Sequence, residues 1–132
     1  MTIGIGFQDQ YLDDHAVESI VEEALSSLAL EGKRVLFLIP DGTRSMPMPL
    51  MFNLFEKYLS GRVAALDYLV ALGTHQPMSD EQLSHLIGRH VENGKAGNSH
   101  VFNHNWKSPE TFTQIGVIPA EEIERISDGR LV

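Results

Sequence analysis

The chain has 132 residues, with 10 Lys and Arg against 18 Asp and Glu and a formal net charge of −8. That length holds one domain, and 42% hydrophobic with 21% charged residues is a globular composition, neither disordered nor fibrous. The acidic balance argues against a clustered-cation surface for nucleic acid. The absence of Cys excludes disulfide scaffolds, thiolate metal sites and thiol nucleophiles together, and permits a cytoplasmic location. Six His is the one unusual count.

The first residues, Met1 to Gly6, have neither the basic region nor the apolar run of a signal peptide. The longest apolar stretches, Val35–Pro40 and Leu69–Leu72, fall far short of the roughly 18–20 residues that cross a bilayer. The expectation is a soluble cytoplasmic domain with neither membrane nor nucleic acid as partner. A short strand is expected first, then a helix capped by Asp13 or Asp14. Its apolar stripe runs through Val17, Ile20, Val21, Ala24, Leu25 and Leu28, and Gly32 supplies its stop.

Arg34–Ile39 is a continuous apolar run too short for a helix, which predicts a strand covered on both faces in a parallel sheet. Pro40–Ser45 breaks it, and Pro49–Leu59 predicts a second helix with a broad apolar face. The unit then recurs in kind: a strand over Arg62–Leu72, a break at Gly73–Pro77, and a helix over Ser79–Ile87. Ser79 and Gln82 form a capping box at the start of that helix. Short connections in this order mean βαβ units. The fold class is α/β: a three-layer, mostly parallel open sheet with helices on both faces, Rossmann-like. Beyond Gly88 the pattern predicts a polar loop over Glu92–Ser99, a short strand at His100–His104 and a short helix over Ala120–Ile126. A strand just beginning at Arg130–Val132 suggests a piece of something longer.

Two loops carry the chemistry, since each follows the carboxyl end of a predicted parallel strand, where open α/β sheets bind ligands. Asp41, Thr43 and Arg44 then face the same crevice as Thr74 and His75. Arg44 suits a carboxylate or phosphate, and the helices starting near Pro47 and Ser79 would aim free N–H groups at the same anion. His75 supplies an imidazole, the side-chain type that can take or give a proton near neutral pH. Each loop alone also reads as an ordinary turn, with Asp41 closing onto its own backbone. Met46, Met48, Met51 and Met78 read as pocket or core filler.

Asp41-Gly-Thr-Arg-Ser-Met-Pro47, then Ala71-Leu-Gly-Thr-His-Gln-Pro-Met-Ser79, then Val101-Phe-Asn-His-Asn-Trp106, resemble in order and spacing the N-terminal domain of the nickel-dependent lactate racemase family. The resemblance implies racemisation of a small 2-hydroxy acid by hydride transfer to a nickel pincer nucleotide, completed by a C-terminal part outside this chain. It implies that His75 is the general acid/base, that Arg44 holds the substrate carboxylate, and that Asp41, Thr43 and Thr74 contact the cofactor. His104 gains a further claim through the third stretch. It implies no metal ligand within this chain, because the family's second histidine, tethering lysine and nickel-ligating histidine lie further along. Ser45 stands where the family usually has Pro, and Asn105 where it usually has Asp. Beside this stand a non-catalytic nucleotide- or organic-anion-binding domain and a purely structural domain. Among the other histidines, His15 reads as solvent-facing, His85 and His90 have poor ligand spacing, and His100 lies in a β-leaning context.

Overall fold

The computed structural model describes residues Thr2 to Leu131. Among the described residues no strand precedes the first helix, in contrast to the short initial strand expected from the sequence. Helix α1 spans Asp14–Ser26, and the Asp13 side chain caps it by accepting from the Ala16 N–H at 2.8 Å. It buries Val21 and Leu25, while Leu28 falls past its end and is exposed. Arg62 donates to the carbonyls of Leu25 and Leu28, satisfying the acceptors that the helix end leaves open.

Strand β1 (Arg34–Pro40) leads to helix α2 (Met48–Leu59), strand β2 (Ala65–Ala71) and helix α3 (Asp80–Ile87). The capping box of α3 is formed as expected: the Gln82 N–H donates to Ser79 Oγ and the Ser79 N–H donates to Gln82 Oε1. A two-residue strand, β3 (Lys95–Ala96), interrupts the polar stretch. It pairs antiparallel with β4 (Ser99–Asn103), and helix α4 (Ala120–Ile126) follows. Arg130 and Leu131 form no strand, and Val132 lies outside the described residues.

The sheet has the order β1-β2-β4-β3, with β1–β2 and β2–β4 parallel. The expected open, mostly parallel α/β architecture is therefore present. Register runs in step from Arg34 opposite Ala65 to Pro40 opposite Ala71. Both crossovers, β1 to β2 and β2 to β4, step the same way, so right-handed connections put α2 and α3 on one side. The core forms there: Ile39, Leu66, Tyr68, Val70 and Val101 meet Val21, Leu25, Phe52, Leu59, Leu83 and Ile87. Phe37 stacks on Phe55 with ring centroids 3.8 Å apart.

Among the described residues the second helical layer of the expected three is not formed. On the opposite face Leu36, Leu38 and Phe102 are 52%, 70% and 47% exposed. The continuous apolar run of β1 is thus covered on one side only. A shallow cavity of ≈ 420 Å³ lies on that open face among Arg34, Leu36, Asp67 and Phe102.

Beneath the helices, polar groups are paired. Glu56 on α2 accepts from the hydroxyls of Tyr68 on β2 and Ser99 on β4, tying three elements together. Burial, with the Glu56 charge beside it, pushes the Tyr68 phenol far above its ordinary range.

Candidate functional site

Asp41 and His75 sit in the first loops beyond the carboxyl ends of β1 and β2. Since Pro40 and Ala71 are register partners, these loops leave the sheet side by side. The Asp41 carboxylate is almost fully buried and divides its two oxygens. Oδ1 accepts from the Thr43 N–H at 3.0 Å and from the Thr43 hydroxyl at 2.5 Å. Oδ2 takes a close contact with Nδ1 of His75. The Thr43 hydroxyl and the His75 ring, followed by the Thr43 N–H, hold the Asp41 carboxyl down at about 2. The loop turn and the functional pairing, alternatives in the sequence, are here made by the same side chain.

An Asp41 pKa depressed from 3.8 to about 2 has a consequence for acid stability. Between those values the unfolded chain binds a proton that the folded chain refuses, so stability rises with pH across that window. The contribution is complete above about pH 4 and disappears as pH falls through about 2. Asp41→Asn is expected to flatten the dependence of the urea midpoint on pH between 2 and 4, relative to the parent chain.

With Nδ1 engaged by a carboxylate, the neutral ring carries its proton there and keeps the Nε2 lone pair free. His75 is 52% exposed at its side chain and lines a cavity of ≈ 1120 Å³. Asp41, Thr43, Arg44 and His75 all reach that cavity, so the structure brings together four of the expected site residues. The Arg44 backbone N–H donates to the Asp41 carbonyl at 3.3 Å, while its side chain has no hydrogen-bond or ion-pair partner among the described residues, which leaves its fork of donors for a ligand. Met46 and Met78 contribute to the wall, whereas Met48 is buried in the core.

Thr74 and His104 do not line the cavity. The His104 ring lies edge-on to Phe112 and within 3.5 Å of the Thr111 hydroxyl, and the backbone N–H of His104 donates to the Val70 carbonyl. The helix starts also differ from expectation. The capping box occupies donors at the start of α3, and α2 begins with Pro47 and Pro49, which have no N–H to offer. The helix starts thus offer fewer donors than expected, and Arg44 is the cation in the cavity wall.

Sequence reasoning passed over the far wall, where α3 contributes Glu81, Gln82 and His85. The available signal was the i, i+4 pair Glu81 and His85, which puts both on one helical face. No group of three His, Cys, Asp or Glu that could hold a metal ion occurs among the described residues. None of the described helices is long and apolar enough to cross a membrane.

The chain is similar to a protein from Thermotoga maritima of known crystal structure, at 27% identity and a TM-score of 0.67. The match covers 90% of this chain and 29% of that one, so this chain spans less than a third of that protein's length. No curated protein matches the chain. The family described as lactate racemase N-terminal domain matches residues 10–127, which takes in both loops, the cavity and all three motifs. The chain belongs to the lactate racemase N-terminal domain family.

Proposed function

We propose that this chain is the N-terminal domain of a longer isomerase that interconverts the stereoisomers of a small 2-hydroxy acid. The observation that carries the reading is the Asp41–His75 pair at the edge of a large cavity that also holds an unpaired Arg44. In this reading Arg44 clamps the substrate carboxylate through two parallel donors. The Nε2 atom of His75 accepts the hydroxyl proton as the α-carbon loses its hydrogen, and returns it when hydrogen comes back to either face. Asp41 holds the ring in the tautomer that this needs and stabilises the imidazolium that results.

A nickel pincer nucleotide, when bound, supplies the acceptor for the hydride. The cavity fits such a group in size, since ≈ 1120 Å³ is large enough for a bound cofactor. Asp41 and Thr43 are less suited to direct cofactor contact than the resemblance implies, because each already satisfies the other. Nickel ligands and the rest of the substrate site would come from the remainder of the longer protein, acting in the cytoplasm.

The test is chiral chromatography of an enantiopure 2-hydroxy acid incubated with the longer protein, where an unchanged enantiomer ratio across such acids sinks the reading. For the domain alone, no turnover and weak carboxylate binding are expected. Isothermal titration should show Arg44→Ala weakening that binding by roughly 10-fold or more, as loss of a charge-assisted pair predicts. Equal affinities would remove Arg44 from the substrate site. Carboxylate binding through Arg44 with no racemisation would favour the anion-binding alternative.

A further inference from the structure

The loop that carries His75 is held from outside by the chain segment following β4. The Trp106 indole N–H donates to the His75 carbonyl at 2.9 Å. Three residues before Trp106, the Asn103 side chain closes a two-bond ring with Met78: Oδ1 accepts from the Met78 N–H and Nδ2 donates to the Met78 carbonyl, both at 2.9 Å. The segment His75–Met78 is thus pinned at both ends, with Pro77 between to limit its backbone. Inside the loop, the one backbone bond at His75 runs from its N–H to the Leu72 carbonyl at 2.9 Å.

Both posts are themselves anchored. Asn103 ends β4 in register with Val70, and the next N–H, that of His104, donates to the Val70 carbonyl. The Trp106 ring packs against the core. The clamp is therefore referenced to the same strand, β2, from which the His75 loop departs.

We propose that Asn103 and Trp106 are positioning residues for His75: they fix its backbone so that Nδ1 stays on Asp41 and Nε2 stays free in the cavity. This rests on the reading of His75 as the proton carrier, and it gives the third sequence motif a role that neither cofactor nor substrate contact supplies. A bidentate amide suits the post at Met78, because it meets a donor and an acceptor of one residue at once. An indole suits the other post, because it offers a donor while its ring stays in apolar surroundings.

The test uses the chain alone and two NMR readouts. Long-range ¹H–¹⁵N spectra of the His75 ring report which nitrogen carries the proton, and amide exchange of His75 reports opening of the loop. In the parent chain the Nδ1-protonated tautomer is expected at pH above the histidine titration. Trp106→Phe, which keeps a ring and loses the donor, should mix the tautomers and speed His75 amide exchange about threefold to tenfold. Asn103→Asp keeps one of the two bonds to Met78 and should fall between the parent and Asn103→Ala.

Exchange of the central β2 amides of Tyr68 and Val70 should not change in Trp106→Phe. A rise there equal to that at His75, or an unchanged tautomer with unchanged exchange, overturns the proposal. Should Asn103→Ala fail to fold, the Trp106→Phe comparison decides alone. Neither readout depends on turnover, so an inactive longer protein would sink the proton-carrier reading while leaving the clamp itself measurable.

Discussion

His75→Ala in the longer protein is expected to lower racemisation by about 10²- to 10⁴-fold, the usual contribution of a positioned general acid/base. The fold should survive, because the imidazole is half exposed and its ring anchors no core contact. Far-UV circular dichroism and the urea midpoint of the domain check that side, and chiral chromatography checks the rate. Asp41→Asn should cost less than His75→Ala, since it leaves the imidazole in place and removes the group that selects its tautomer. Retained activity in His75→Ala, or its unfolding, would contradict the role assigned to the side chain. Equal losses in both variants would mean that the pair works as a unit.

The largest effect on stability is expected at Gly88, the left-handed residue that ends α3 with φ at 69°. A Cβ there would stand 2.7 Å from Cβ of Pro49, in the first turn of α2. Two separate costs follow from Gly88→Ala: about 1 kcal/mol for a side chain at positive φ, and roughly 1–3 kcal/mol for forcing apart a packed contact. A loss of about 2–4 kcal/mol should appear as a fall in Tm of roughly 8–16 °C in a domain of this size. The two parts can be separated. In a Pro49→Gly background the steric cost disappears and only the backbone cost remains, so the double-mutant cycle should show coupling of about 1–3 kcal/mol. Additive effects would show that the α2–α3 contact is looser than its geometry indicates.

Much of this fold is legible in the residues because local signals and global pattern agree. Asp13 and the Ser79–Gln82 pair mark helix starts by mechanisms that act within a few residues. The apolar stretches of β1 and β2 are too short for anything but strands. What resisted reading depends on neighbours distant in sequence. A run such as Arg34–Pro40 has the same appearance whether one face or both are covered, and only the direction of the crossovers decides where the helices lie. The short β3 hairpin is fixed by Lys95 and Ala96 meeting β4, which their own polar context does not announce.

The site divides in the same way. Asp41 and His75 are legible as loop residues after strands, but their direct pairing depends on the register of Pro40 with Ala71. Asn103 and Trp106 stand in a motif whose work is done on backbone atoms 25 and 31 residues earlier. No pattern of side-chain types records such a contact. His85 has poor ligand spacing to His90, and its place on α3 four residues after Glu81 puts it in the cavity wall, a position fixed by how α3 packs on the sheet.

The stepwise register of β1 and β2 acts as a ruler for the chemistry above it. Each rung from Arg34–Ala65 to Pro40–Ala71 must be kept for Asp41 and His75 to emerge level. One residue inserted into either strand would raise one loop by about 3.3 Å and turn every later side chain of that strand to the opposite face. Length changes in this lineage are therefore expected to collect at the other end of the sheet, in the turn between Ser60 and Ala64 or before Lys33. The strands of the ladder should hold a constant length even where their residues drift.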